Sequence, residues 1–367
     1  MKVLAIAQTI KVKSGWGRYA RSIVDEFARR DIQYKILTLA DGGKVAEEEP
    51  MLLPATSILN ILKNCFLVRR KARDFEIVHA FDAWPFAIYG YAAVLWTRKK
   101  LFVTGVATYS VVPTDRLLKK FFMTRALRAA RKIMCSSEYT RQRILKTIDL
   151  KNTARVFWGP SPLPSVSEGE IESFYQQFDV PKSNHPILLT VGQIKFRKGQ
   201  FDTTRAVSLL RKKYPQILYV MVGSDADTEY VGRIKEFVRK EKLTENIRII
   251  TTAKDDKALS FFYTISDVFI MNSNNEEDHF EGFGLVFLEA EQFGKPVIGS
   301  RNCGIEEALE DGYNGYLTNQ QDAGDIAEKI NRILQADKTL FGRNSKEFYS
   351  RFSWQKTVGE YIHYYEQ

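Results

Sequence analysis

Phe280-Glu281-Gly282-Phe283-Gly284-Leu285-Val286-Phe287-Leu288-Glu289-Ala290 sets a glycine-containing loop directly before an apolar helix pattern, just after a strand-like run at 267–271. Ligands of open parallel α/β sheets sit outside the carboxyl ends of the strands, where such a loop emerges. The backbone N–H groups of Gly284 and Leu285 fall in the first helical turn, and with the helix dipole they predict a site for a diphosphate. Gly282 and Gly284 let the backbone come close. Glu281 precedes the helix and Glu289 lies about one and a half turns inside it, so both reach one ligand from different heights. Ionised carboxylates there suit a hydroxyl-rich partner, because each accepts hydrogen bonds from two vicinal hydroxyls. The bland alternative is a helix-end charge at Glu281 and a solvated face residue at Glu289.

Working outward, the same alternation runs through the whole second half. Strand patterns at 187–191 (Ile187-Leu188-Leu189-Thr190-Val191), 217–222, 247–251, 267–271 and 296–299 are separated by helix patterns at 199–212, 228–241, 255–264 and 284–293. The first half begins with a strand at 2–7, a glycine turn at Ser14-Gly15-Trp16-Gly17, and a helix with Ala20, Ile23, Val24 and Phe27 on one face. Strands at 34–39, 76–80, 101–106 and 132–136 follow, with helix patterns at 57–72 and 116–131. Such alternation implies parallel sheets covered by helices. Prolines 160, 162, 164, 181 and 186 interrupt it. The expected organisation is a Rossmann-like domain over 1–165, a linker over 166–186, and a second Rossmann-like domain over 187–350. A terminal helix over 351–367, with Trp354, Val358, Tyr361, Ile362 and Tyr365 at helical spacing, is expected to pack back across the interface.

Composition agrees with two cores, since 367 residues exceed the size at which single cores stop growing, roughly 250 residues. Three widely spaced cysteines, Cys65, Cys135 and Cys303, disfavour a disulfide framework and a zinc site, and a reducing compartment fits best. The apolar start reads as a first strand rather than a signal sequence. The charge-free stretch Ala83–Trp96 has 14 residues and contains Pro85 and Gly90, too few to span a bilayer, which takes about 20. The net charge of +10 is lopsided: residues 1–180 hold 29 Lys+Arg against 17 Asp+Glu, residues 181–367 hold 25 against 27. A solvated basic surface, an anionic membrane or an acidic partner would each account for it. The stretch from Arg116 to Lys132 mixes basic and apolar residues at helical spacing, as surface-lying membrane helices do, with ordinary packing as the alternative. No nucleic-acid-binding module accompanies the basic residues. Gly15-Trp16-Gly17 lacks the third glycine of a dinucleotide fingerprint, which argues against an oxidoreductase.

The segment Glu281-Gly282-Phe283-Gly284-Leu285 to Glu289-Ala290 resembles the Glu-x7-Glu motif of the retaining glycosyltransferases of family 4, and the likeness extends in order along nearly the whole chain. That resemblance implies GT-B architecture, two Rossmann-like doubly wound domains facing a central cleft, with an acceptor-binding first domain. It implies that Glu281 contacts the hydroxyls of a donor sugar, that Phe283, Gly284 and Leu285 offer amides, and that Glu289 holds the ribose. Val191-Gly192-Gln193 through Arg197-Lys198-Gly199 is similar to the family's V-G-R…K-G loop, whose cations neutralise the departing diphosphate. Lys198 also fits that role on physical grounds, since a fixed cation stabilises charge that grows on a leaving phosphate. Gly15 and Gly17 would admit the donor's diphosphate from the other lobe. Gly304-Ile305-Glu306-Glu307 and Gly312-Tyr313-Asn314-Gly315 resemble structural turns. The implied partners are a nucleotide-sugar donor and a glycan or lipid-linked acceptor, without metal or other cofactor. The expected location is cytoplasmic, and the basic first half adds the expectation of peripheral contact to the inner face of an anionic membrane, with a solvated basic surface as its alternative.

Two departures stand out. The family's arginine after V-G is Gln193, with Arg197 the candidate to compensate, and the histidine of its T-x-H-G-T-Y segment is Val106. An apolar Val106 suits a donor lacking a C6 hydroxyl, or else marks weakened activity and a protein that binds its nucleotide sugar without turnover. His79 and the nearby Asp82, at the end of a strand, are acceptor-side candidates, with a satisfied structural role as their alternative. The acidic loop Asn274–His279 is either a donor-side feature or a solvated loop.

Overall fold

The computed structural model of the chain describes residues 1–12, 15–39, 46–111, 117–183, 185–253 and 255–367. Ser14 of the glycine turn and Arg116 at the head of the basic stretch lie outside the described residues. The chain divides into two compact units, Met1–Ser161 with Phe352–Gln367, and Pro162–Arg351.

The first unit carries β1 (Lys2–Ile6), α1 (Gly15–Arg29), β2 (Gln33–Leu39), β3 (Glu48–Leu52), α2 (Ile58–Lys71), β4 (Ile77–Ala80) and α3 (Phe86–Val94). It continues with β5 (Lys100–Gly105), α4 (Leu117–Ala129), β6 (Lys132–Cys135), α5 (Glu138–Thr147) and β7 (Thr153–Arg155). The sheet order is β3-β2-β1-β4-β5-β6-β7 and every paired ladder is parallel. Strands β1 and β4 are buried almost throughout, as strands covered on both faces must be. Sequence periodicity misses β3, because Glu48-Glu49-Pro50-Met51-Leu52 has no apolar alternation and proline is tolerated only at an edge, where this strand sits.

The second unit carries α6 (Glu168–Gln177), β8 (Ile187–Val191), α7 (Gln200–Leu210), β9 (Leu218–Val222), α8 (Thr228–Lys240), β10 (Ile247–Ile250) and α9 (Asp256–Ile265). Then come β11 (Val268–Met271), α10 (Leu285–Gln292), β12 (Val297–Ser300), β13 (Gly315–Thr318), α11 (Ala323–Gln335) and α12 (Lys338–Ser350). Its sheet is β10-β9-β8-β11-β12-β13, again all parallel. The order reverses between β8 and β11, so the loops leaving those two neighbours diverge around one crevice. Residues expected as a linker form α6, which opens on a reciprocal capping box between Ser167 and Glu170, tilts Phe174 against Phe261 of α9 and stacks its C-cap residue Phe178 on the same ring.

The terminal helix α13 (Trp354–Glu366) counts with the first unit. It packs against α1, and Tyr19 of α1 stacks on Trp158 at 4.3 Å with Trp354 alongside. Tyr365 puts its hydroxyl 2.6 Å from His79 Nδ1 in β4.

Within the second unit, α10 is tied to the turn before β13 by a buried polar contact. Asn314 Nδ2 donates to Glu291 Oε1 at 2.8 Å, and its own Oδ1 accepts from the Glu310 amide at 2.8 Å. Burial holds the Glu291 carboxyl well above the usual carboxylate range, which favours its protonated form. A carboxyl whose pKa rises on folding contributes fully at acid pH, and its contribution falls as pH climbs past the ordinary value. Glu291→Gln keeps the shape and removes the titration. Its melting temperature is expected to exceed that of the wild type at pH 8, with the gap closing towards pH 4; thermal unfolding at the two pH values checks this.

Candidate active site

The loop after β8 and the loop after β11 carry the charged residues of the site. Phe196-Arg197-Lys198 form one turn of 3₁₀ helix that ends on Gly199, at φ +69°, which is also the N-cap of α7. A Cβ at Gly199 would lie 1.9 Å from the Asn272 carbonyl oxygen, so only glycine permits this crossing of the two loops. The Asn274 amide donates to the Arg197 carbonyl at 3.0 Å, and an Arg197 guanidinium nitrogen donates to the Phe280 carbonyl at 2.9 Å. These bonds fix the two loops against each other.

Glu281 closes the arrangement. Its Oε2 accepts from Lys198 Nζ at 2.6 Å and from Arg197 at 3.1 Å. The three side chains are 15, 14 and 20% exposed, so the cluster is largely shielded from solvent. Burial alone would raise the carboxyl's pKa, but the charges and hydrogen bonds of Lys198 and Arg197 outweigh it and hold the pKa at about 2. Glu281 is therefore ionised throughout the physiological range and cannot supply a proton as a general acid.

Gly284, at φ +88°, is the N-cap of α10 and no side chain caps the helix there. The dipole end of α10 thus carries no side-chain cap, directly after the Glu281 loop. Phe283 points into the core, which leaves its backbone as the part that can meet a ligand. Glu289, on α10, is buried and its Oε2 accepts from the Tyr263 hydroxyl at 2.9 Å, an anchor that sets the carboxylate's direction. The acidic loop is exposed at residues 276–279 and folded back on itself by reciprocal bonds between the Glu276 and His279 backbones.

Comparison with known proteins matches this geometry to a family. The model described as Glycosyl transferases group 1 matches residues 172–347, and that described as Glycosyltransferase Family 4 matches residues 13–158. The chain belongs to the group 1 glycosyltransferases. An uncharacterized glycosyltransferase of Methanocaldococcus jannaschii is 26% identical, covering 90% of this chain and 88% of that protein. A trehalose synthase of Thermococcus litoralis is 30% identical over 50% of this chain and 44% of its own, so there the chain spans less than half the relative. Among solved structures, a glycosyltransferase of Rickettsia africae has a TM-score of 0.81 at 20% identity, covering 100% of this chain and 97% of that one. Anabaena HepE in complex with UDP-glucose has a TM-score of 0.79 at 19% identity, covering 99% of each chain. At these identities the structural likeness establishes the GT-B fold.

The family's missing arginine leaves Gln193 exposed, with its carbonyl held by the buried Gln200 side chain at 3.1 Å. Gln200 also accepts from the Lys195 amide at 3.4 Å, so one side chain shapes the turn. Sequence reading passed over Lys195. Its half-buried ammonium has its pKa lowered, by desolvation first and then by the neighbouring Arg197 and Lys198 charges, with Glu281 acting in the opposite sense. Lys195 is thus a third cation beside the cluster. In the string Lys195-Phe196-Arg197-Lys198 nothing separates it from a surface lysine; only the tight turn brings it in.

In the first unit the candidates behave differently. A Cβ on Gly17 would fall 1.6 Å from the Lys11 carbonyl oxygen, so this glycine is demanded by the packing of α1 on the preceding loop, whereas Gly15 faces open space. His79 is fully buried, with Nδ1 engaged by Tyr365 and Nε2 by Thr104 Oγ1 at 2.9 Å. Burial drops its pKa to about 3 and keeps it neutral, which is the satisfied structural role. Asp82 is buried too, its Oδ1 accepting from the Ala83 amide at 2.7 Å, and burial raises its pKa well above the usual range despite that bond and one from Ser110. Val106 lies just beyond β5, its amide donating to Ser110 Oγ at 3.0 Å.

Lys198→Met removes the stronger of the two attractions on Glu281. Its carboxyl is then expected to titrate above about 2, followed by the pH dependence of the ¹³C carboxyl shift; an unmoved titration would mean that Arg197 alone sets it. Gly199→Ala, strained in backbone and clashing with Asn272, is expected to cost about 2 kcal/mol or more of stability in urea unfolding.

Proposed function

We propose that this protein is a retaining glycosyltransferase that moves a sugar from a nucleotide-sugar donor to a glycan or lipid-linked acceptor, in the synthesis of a bacterial surface polysaccharide or glycoconjugate at the cytoplasmic face of a membrane. The observation that carries the reading is the ion cluster Lys198–Glu281–Arg197 at the strand-order reversal of the second unit. Together with Lys195 it holds three cations and one carboxylate, a net positive site that matches a diphosphate and leaves a carboxylate for sugar hydroxyls. The uncapped α10 terminus adds amides for the diphosphate. Glu289, set by Tyr263, takes the ribose hydroxyls.

In the reaction, the bond between the sugar's anomeric carbon and the diphosphate oxygen breaks, and the acceptor oxygen bonds to the same face of that carbon. The acceptor's proton passes to the departing phosphate oxygen. Glu281, ionised and neutralised by two cations, is unsuited to the acid role that a glycosidase-like pair of carboxylates would need. What the chain supplies is fixed charge: Lys198, Arg197 and Lys195 stabilise the negative charge growing on the leaving group. Lys195 stands in for the arginine replaced by Gln193. Val106 favours a donor sugar without a C6 hydroxyl.

A second reading, a nucleotide-sugar-binding protein with little turnover, draws on Gln193 and Val106. A panel of UDP-, GDP-, ADP- and dTDP-sugars, including 6-deoxy sugars, separates the two by thermal shift and nucleotide release. One donor is expected to stabilise the protein and to be consumed, with the shift lost in Glu289→Ala. Lys198→Ala is expected to lower turnover by about 10²-fold or more and Lys195→Ala by about tenfold. Binding without release under every acceptor tried favours the second reading, and no donor binding at all rejects both.

A further inference from the structure

The first unit presents an exposed apolar surface to which the proposed transfer assigns no residue. Eight of the fourteen exposed large hydrophobic side chains among the described residues lie on just two helices, α2 and α4. On α2, Ile58, Leu59, Leu62 and Phe66 form a stripe at helical spacing, with Ile58 73% and Phe66 70% exposed, while Asn64 and Val68 turn inward. On α4, Leu117, Leu118, Phe121 and Phe122 do the same, with Leu117 88% exposed, opposite the buried Met123, Ala126 and Leu127. Helix α3 packs against both, so the two stripes flank it on one face of the sheet. Trp96, just past the end of α3, is exposed as well. Isolated exposed apolar residues need no explanation, but paired stripes of this size mark an interaction surface.

The charge on this face selects the occupant. Helices α2, α3 and α4 contain eight Lys and Arg residues and no Asp or Glu. Lys63 sits within the α2 stripe, Lys119 and Lys120 within that of α4, and the Arg125 guanidinium lies 4.9 Å over the Phe121 ring. A second copy of the chain docked symmetrically would set these cations against themselves. An anionic lipid surface would neutralise them and take up the apolar stripes at the level of the headgroups. The helices span 14 and 13 residues, and no helix among the described residues is long and apolar enough to cross a membrane. We infer that α2 and α4 together form a peripheral docking face for anionic membrane, with Leu62 and Phe66 of α2 inserting alongside Phe121 and Phe122 of α4. The basic stretch legible around α4 is half of this face; α2 supplies the other half.

Co-sedimentation with vesicles of phosphatidylcholine alone, or of phosphatidylcholine with one-third phosphatidylglycerol, tests the inference on the intact chain. The protein is expected to bind the anionic vesicles, to ignore the neutral ones, and to release as salt is raised. Leu62→Glu/Phe66→Glu and Phe121→Glu/Phe122→Glu are each expected to weaken binding by at least about tenfold. Leu209→Glu, an exposed apolar residue of the second unit, is expected to bind like the wild type. The melting temperature reports folding, and Lys119→Gln/Lys120→Gln, which leaves the apolar contacts intact, is expected to weaken binding and flatten its salt dependence. Absence of binding to anionic vesicles at low salt overturns the docking face. Full binding by the α2 double variant overturns the joint surface. A dimer in light scattering that Phe66→Glu disperses assigns the face to a second copy instead and overturns the membrane. Donor binding, measured separately, does not depend on any of these outcomes.

Discussion

Strands β8 and β11 are hydrogen-bonded neighbours although 76 residues separate the end of one from the start of the other. Parallel strands must both emerge at the same edge of the sheet, and at the order reversal their following helices leave in opposite directions. Because the two strands end side by side, the loop bearing Arg197 and Lys198 meets the loop bearing Glu281 before the helices part. Everything else in the site depends on that adjacency: the bonds from Asn274 to Arg197 and from Arg197 to Phe280, the close crossing at Gly199, and the ion cluster itself. A buried ion pair is weak evidence for stability, because desolvation offsets much of its attraction. What the cluster does show is fixed charge, two cations held in place against one carboxylate, which is what the proposed transfer calls on.

The buried carboxyls divide by environment. Glu281, between two cations, is ionised; Glu291 and Asp82, desolvated by burial with too little compensation from their partners, are pushed towards the protonated form. Chemically alike side chains thus serve unlike ends. The charged one joins the loops that follow β8 and β11, and the other two tie an element to a turn or a strand to its loop. The neutral His79, bridging Thr104 and Tyr365, belongs with the second group and fastens α13 to β4 and β5.

The alternating elements of both units, the parallel sheets and the break near the prolines were legible, because fully buried strands and amphipathic helices leave strong local periodicities. Strand boundaries mostly fell within a residue or two. What periodicity could not show were elements whose sequences carry no apolar pattern, such as the acidic edge strand β3, the short β7 and the turn-like β13. Helix α6 was hidden by flanking prolines, though Ser167 and Glu170 spell its capping box. Of the proposed site, Lys198 and Glu281, which the structure pairs, stand in motifs visible along the chain, whereas Gln200 and Tyr263 do not, since each acts by reaching a partner far away in the chain or inside a turn.

By itself the sequence determined the fold class, the family and the identity of the charged residues, all of which are written in local patterns or in short motifs. Pairing was decided only in three dimensions. That Arg197 is bonded to Glu281 and Phe280, that Lys195 lies within reach of the Arg197, Lys198 and Glu281 charges, that His79 is walled in, and that α2 joins α4 in one exposed face follow from which strands lie side by side and which helix faces they cover. Those are long-range relations, and residue spacing along a chain carries no measure of them.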